Sequence, residues 1–132
     1  MTYDTPLNPL YAPFAEAARA RRVPFHVSTT RRGCFLHLHL TDGPTLELGD
    51  DGVGGAAATK PGGTTGFTLQ RTLPGGHVNR IYDSTPTGPH HANGTNPAPL
   101  LAVLDRFLPP PPAPKAPRKA RHSLLRSLLR FP

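Results

Sequence analysis

Apolar and polar residues alternate with a period of two through the middle of the chain, as they do in half-buried strands. The alternating segments are FHVSTT (25–30), CFLHLHLT (34–41), TLELG (45–49), GFTLQRTL (66–73) and HVNRIYD (77–83). Turn-forming residues follow several of them, for example DGP at 42–44 and PGG at 74–76. The pattern therefore predicts an antiparallel meander of about five strands.

On both sides of this strand region the apolar positions change to helical spacing. The N-terminal segment has Phe14, Ala17 and Ala18 on one side and ends at Pro24. The second segment begins at Asn96 with a helix cap and continues with one apolar stripe, formed by Leu100, Val103, Leu104, Phe107 and Leu108. We expect an α+β fold, with an N-terminal helix, the meander, and a C-terminal helix packed on one sheet face.

Proline and glycine divide the chain into regions. Residues 49–66 are rich in glycine and nearly lack large apolar side chains, so we expect a mobile loop between the third and fourth strands. Prolines from Pro109 onward stop the second helix and predict an extended spacer. The sequence thus predicts one small α+β domain at 1–108, a Pro-rich linker at 109–117 and a basic amphipathic tail at 118–132.

Positive charge is concentrated near the C-terminus. The last part of the chain has no acidic residue but six cationic ones, which are Lys115, Arg118, Lys119, Arg121, Arg126 and Arg130. The remaining nine Lys or Arg are opposed by all eight acidic residues, so the tail carries most of the net charge of +7. Such asymmetry predicts contact with a polyanion, and nucleic acid is the leading candidate.

Arginines in the body extend this prediction. Arg31 and Arg32 lie at the expected turn between the first two strands, and Arg19, Arg21 and Arg22 lie late in the first helix. If that turn and that helix are adjacent, the five arginines form one cationic surface. Arg31 and Arg32 are therefore included among the anion-binding candidates.

The tail also has an apolar side. On a helical wheel one side carries Leu124, Leu125, Leu128, Leu129 and Phe131, and the arginines and serines fall on the other. Exposed apolar faces invite association, so this pattern predicts a docking partner. An anionic membrane surface and a groove in a partner protein both remain open as alternatives to nucleic acid. The pattern leaves the oligomeric state open.

Two histidines alternate with leucines in the second predicted strand. His37 and His39 therefore lie side by side on the face opposite the leucines. Two such imidazoles can ligate one metal ion, and a zinc site needs at least one further ligand, for which His26, Glu47 or His77 is available. A solvated sheet face that carries polar residues explains the same pattern. A metal site at His37 and His39 is kept as a second alternative, and no cofactor is predicted.

Catalytic motifs are missing from the sequence. Lys60 follows a glycine-rich stretch, but Thr59 and Pro61 occupy positions where a phosphate-binding loop needs glycine and a hydroxyl residue. No G-x-S-x-G motif occurs, and the single cysteine, Cys34, alternates with leucines like a small buried hydrophobe. The chain also lacks a secretory signal pattern. These observations favour a cytoplasmic, non-enzymatic accessory or adaptor protein that binds an anionic partner through its tail.

Overall fold

A computed structural model describes residues 6–31, 33–60 and 62–112. The two α-helices and five strands are, in chain order, α1 (Ala12–Ala20), β1 (Phe25–Thr30), β2 (Gly33–His39), β3 (Thr45–Asp50), β4 (Phe67–Thr72), β5 (Val78–Asp83) and α2 (Pro97–Phe107). Short 3-10 turns occur at Pro9–Tyr11, Gly55–Ala57 and His91–Asn93. The strands pair antiparallel in the order β1-β2-β3-β4-β5, so the predicted α+β meander is confirmed.

Both helices pack on the same face of the sheet. That face presents leucines from the inner strands that have no exposed surface, namely Leu36, Leu38, Leu46, Leu48 and Leu69. Tyr11, Phe14 and Phe67 meet edge to face above them, with ring centroids 5.3 to 6.3 Å apart. From α2, Leu100 and Leu104 complete the core. The predicted alternation between a core face and a second face is thus observed.

Local signals fix the ends of the helices. The Asn96 side chain accepts a hydrogen bond of 3.1 Å from the Ala98 N–H and caps α2. Arg22, at φ 57, follows the end of α1 and turns the chain toward β1. Arg21 ties the two helices together, because its guanidinium lies 2.6 Å from Asp105 and donates to the carbonyl of Pro109.

Part of the glycine-rich segment between β3 and β4, which the sequence predicts to be a mobile loop, packs against the body. Ala56 is completely buried. The Asn8 side chain donates to the carbonyl of Gly55 at 3.0 Å, and the Asn8 backbone N–H donates to the carbonyl of Ala56 at 2.7 Å. The Asp50 carboxylate accepts hydrogen bonds from Gly52 and Thr64. Hydrogen bonds from residues far away in the sequence, such as Asn8, therefore hold this segment in place. Its own composition would not be sufficient to do so.

Candidate polar sheet face

On the face opposite the helices, a row of polar side chains crosses the whole sheet. The strand register pairs His26 with His37 and His37 with Glu47. It then pairs Glu47 with Gln70, and Gln70 with Arg80. Each of the five strands contributes one residue, and we call this set the polar row. It joins side chains that lie far apart in sequence into one continuous surface.

Three histidines form a compact group at the β1–β2 end of the polar row. The rings of His26, His37 and His39 are within 25° of parallel, with centroids 4.8 to 6.4 Å apart. We call them the imidazole cluster. Nε2 of His39 and Nδ1 of His26 are 2.8 Å apart, so a hydrogen bond joins these two near-parallel rings. One nitrogen must donate and the other must accept, and the bond is lost if both rings are protonated.

A carboxylate lies next to the imidazole cluster. Oε2 of Glu47 is 3.2 Å from Nε2 of His37, and these side chains are only 12% and 19% exposed. The pair is not aligned as a hydrogen bond, which leaves His37 Nε2 without one. The other carboxylate oxygen of Glu47 accepts a hydrogen bond of 2.7 Å from the side-chain amide of Gln70. The charge of Glu47 is therefore held in place between an amide and an imidazole.

Burial and mutual repulsion lower the pKa values of His37 and His39. Desolvation lowers the pKa of His37, and the neighbouring His26 and His39 lower it further, while the charge of Glu47 acts in the opposite direction. The pKa of His39 is also lowered, by desolvation and by His26. His37 and His39 are consequently neutral at neutral pH, where each offers one N–H donor and one nitrogen acceptor.

The arrangement differs from that of a metal centre. Within residues 6–31, 33–60 and 62–112, no three His, Cys, Asp or Glu are placed so that they could hold a metal ion. Nitrogens of His26 and His39 are bonded to each other, so they do not converge on a common point. His77 precedes β5, three strand spacings or about 14 Å from β2. The cluster is better described as hydrogen-bonded imidazoles.

An aromatic ring extends the same face beyond the polar row. Phe35 lies two residues before His37 on β2 and packs over the backbone of Gly49. A Cβ atom at position 49 would come within 2.6 Å of the Phe35 ring. Glycine therefore leaves the space that the ring occupies, and the open face offers both polar and aromatic contacts.

The body arginines do not form the single surface that the sequence suggested. Arg31 is exposed in the β1–β2 turn, whereas Arg21 lies at the end of α1 and is engaged by Asp105 and Pro109. β1 lies between Arg21 and Arg31, and the distance from its first to its last residue is about 17 Å. The clustering fails because β1 runs away from the helix.

Arg80 belongs to the polar row, although no signal in the sequence predicts its place there. It is an exposed residue on the edge strand β5, and its guanidinium lies 3.2 Å from Asp83. Strict alternation along HVNRIYD gave no reason to place Arg80 beside Gln70, because the register shifts between Leu69 and Gln70. A bulge of this kind has no clear mark in a single sequence.

The other candidates lie outside the described residues. These are Arg32, the cationic residues Lys115, Arg118, Lys119, Arg121, Arg126 and Arg130, and the apolar residues Leu124, Leu125, Leu128, Leu129 and Phe131. Among the described helices, neither length nor apolar character is sufficient to cross a membrane. In comparisons with known proteins, no family model, no curated protein and no solved structure matches this chain.

Proposed function

We propose that this protein is a non-enzymatic accessory protein that binds nucleic acid, with its basic tail as the main phosphate contact. The observation that carries the proposal is the set of six cationic residues from Lys115 to Arg130 that no acidic residue in the tail opposes. Binding of these side chains to phosphates releases condensed counterions, which is the dominant source of sequence-independent affinity for nucleic acid. The domain itself has nearly balanced charge and therefore does not repel the ligand.

The open sheet face supplies the second contact in this proposal. Imidazole N–H groups and the guanidinium of Arg80 can donate to phosphates or base edges. The ring of Phe35 lies on the same face and offers an apolar surface for a base. A flat sheet accepts an unpaired strand more readily than a duplex, whose bases are hidden in a stack. Single-stranded nucleic acid is accordingly the preferred ligand.

Protonation links the imidazole cluster to the ligand. A phosphate beside His37 and His39 favours their charged forms and raises the pKa of each, which opposes the desolvation that lowers it in the free protein. Binding therefore takes up protons, and affinity rises as the pH falls from 7.5 to 6. This pH dependence separates the contribution of the face from that of the tail, whose Lys and Arg stay charged over this range.

The proposal is tested with the full chain and three altered chains at low salt. The first ends at residue 112, which retains every described helix and strand. The second replaces the six tail cations by Gln, and the third replaces the five apolar tail residues by Ser. Fluorescence anisotropy with single-stranded and duplex oligonucleotides measures binding. We expect the first two to lose at least tenfold in affinity, and the third to bind like the full chain. Equal affinity of all four chains contradicts the proposal.

A peripheral docking role is the second candidate, and the apolar side of the tail favours it. Four leucines and a phenylalanine at helical spacing are more than phosphate contact requires. Flotation with vesicles of phosphatidylserine and phosphatidylcholine provides the comparison. Binding to vesicles that the Ser-substituted chain loses, together with unchanged weak binding to oligonucleotides in all chains, would replace the nucleic-acid proposal with this one.

A further inference from the structure

The strand β1 forms one edge of the sheet, and its outward backbone groups can be identified. The backbone N–H of His39 donates to the carbonyl of Pro24 at 2.9 Å. In an antiparallel pair, residues whose N–H and C=O point toward the partner alternate with residues whose groups point away. His26 and Ser28 are therefore bonded to β2, whereas Phe25, Val27 and Thr29 direct their backbone groups outward. In the described part of the chain, no hydrogen bond reaches those outward groups.

This edge lacks the features that usually prevent strands from pairing with another chain. FHVSTT contains no charged residue, no proline and no glycine, and half of its residues are β-branched. The opposite edge, β5, differs because it carries the exposed Arg80 and pairs with β4 through a register shift. Charge and bulges are typical protections of free edges. The contrast indicates that the edge of β1 is suited to pairing with another strand.

We propose that β1 pairs with β1 of a second copy of this chain, so that two sheets join into one of ten strands. The edge is self-complementary because none of the six residues of β1 is charged, so the two paired strands carry no like charges of their own. A twofold axis at Val27 pairs Val27 with itself and Phe25 with Thr29 in both directions. All three outward residues then form bonds, about six in total. Other registers leave at least one of them unpaired.

Side-chain packing supports the same register. Phe25 and Val27 lie on the helix side of the sheet and are only partly buried against the core. In the dimer, the second copy of β1 covers their exposed edges. Edge pairing alone buries less surface than most obligate dimers do, so the dimer forms as the protein concentration rises.

The dimer has a consequence for the open face. A twofold axis perpendicular to the sheet keeps both open faces on one side. The two imidazole clusters then flank the axis, with His26 of each copy opposite Ser28 of the other, and the joined sheet is about 48 Å wide at the usual strand spacing. This inference rests on the edge of β1 alone and stands whether or not the protein binds nucleic acid.

The test is the mass of the full chain in solution, measured by sedimentation velocity from micromolar to millimolar concentration. We expect the mass to rise from that of the 14.2 kDa monomer toward twice that value. Thr29→Pro removes an outward N–H and the side-chain contact of Thr29 with Cys34, and it leaves the backbone hydrogen bonds to β2 intact. This variant is therefore expected to stay monomeric with an unchanged circular dichroism spectrum. The matched control is Val78→Pro at the β5 edge, where the N–H also points outward because Leu73 and His77 form the bonded pair. This control is expected to dimerise.

A second measurement does not depend on any variant. Hydrogen exchange of the full chain at high concentration should show the amides of Phe25, Val27 and Thr29 protected like those of His26 and Ser28. A monomeric full chain at every concentration overturns the proposal. Dimerisation of Thr29→Pro, or fast exchange at the three outward amides in a dimeric sample, shows a different interface and overturns it equally.

Discussion

The two faces of the sheet use the same five strands but differ in what holds their side chains. On the covered face, leucines without exposed surface meet the helices, and packing decides each residue. On the open face, the polar row and the imidazole cluster contact mainly one another. The difference shows that alternate residues of one strand serve the core and the open polar face. Substitutions on the two faces should consequently have different effects.

The largest difference in stability is expected between a covered and an open position of β4. Leu69→Ala removes a completely buried side chain and should lower the free energy of unfolding by about 2 to 5 kcal/mol. Thr72→Ala, on the open face of the same strand, should change it by less than about 0.5 kcal/mol. Urea denaturation with a constant m-value measures both. Similar losses for the two variants would show that the faces are not energetically distinct.

A smaller loss of folding stability is expected for a substitution at the point where the glycine-rich segment joins the core. Asn8 is 1% exposed, and its amide donates to Gly55 while its side-chain oxygen accepts from the Leu10 N–H. Asn8→Ala should cost about 1 to 3 kcal/mol because it leaves the Leu10 N–H without its acceptor and removes one of the two donors to the Gly55 carbonyl. Asn79→Ala, at an exposed position of β5, is the control. If Asn8→Ala has the stability of that control, the segment is not anchored as described.

Acid should lower the stability of the folded protein through the histidines of the open face. The covered face should not contribute to this loss. His37 and His39 have lowered pKa values in the folded state, so the unfolded chain binds more protons. Stability therefore falls as the pH falls below about 6.5, the ordinary pKa of histidine. The melting temperature should drop between pH 7.5 and 5.5, and the double variant His37→Asn with His39→Asn should show a shallower drop. Identical pH profiles would exclude the cluster as the cause.

The smallest effect is expected at the carboxylate beside the cluster. The charge of Glu47 partly offsets the desolvation of His37, so Glu47→Gln should lower the pKa of His37 further. Titration followed by nuclear magnetic resonance of the ring protons measures the change. Asp42→Asn, in the β2–β3 turn, removes an acidic group of the same sheet and should leave the His37 titration unchanged. A rise in the His37 pKa in Glu47→Gln would contradict the described geometry.

Most of the fold follows from alternation and helix signals, because these report which side of each element is buried. Both α-helices and all five strands were predicted close to their observed positions, and His37 and His39 were placed on the correct face. The packing of Ala56 could not be predicted, because Asn8 supplies its hydrogen bond from 48 residues away. Arg80 was missed because the strand register shifts beside Gln70. Contacts between distant segments leave no local pattern.

The salt dependence of binding to a single-stranded oligonucleotide tests the central claim most directly. For six phosphate contacts, the logarithm of the binding constant should fall with the logarithm of salt concentration with a slope of about −4. The chain with all six tail cations replaced by Gln should give a much shallower slope at the same pH, because only the contacts of the sheet face remain. Equal slopes for the two chains, or a full-chain affinity that salt does not change, would contradict the claim that the tail binds nucleic-acid phosphates.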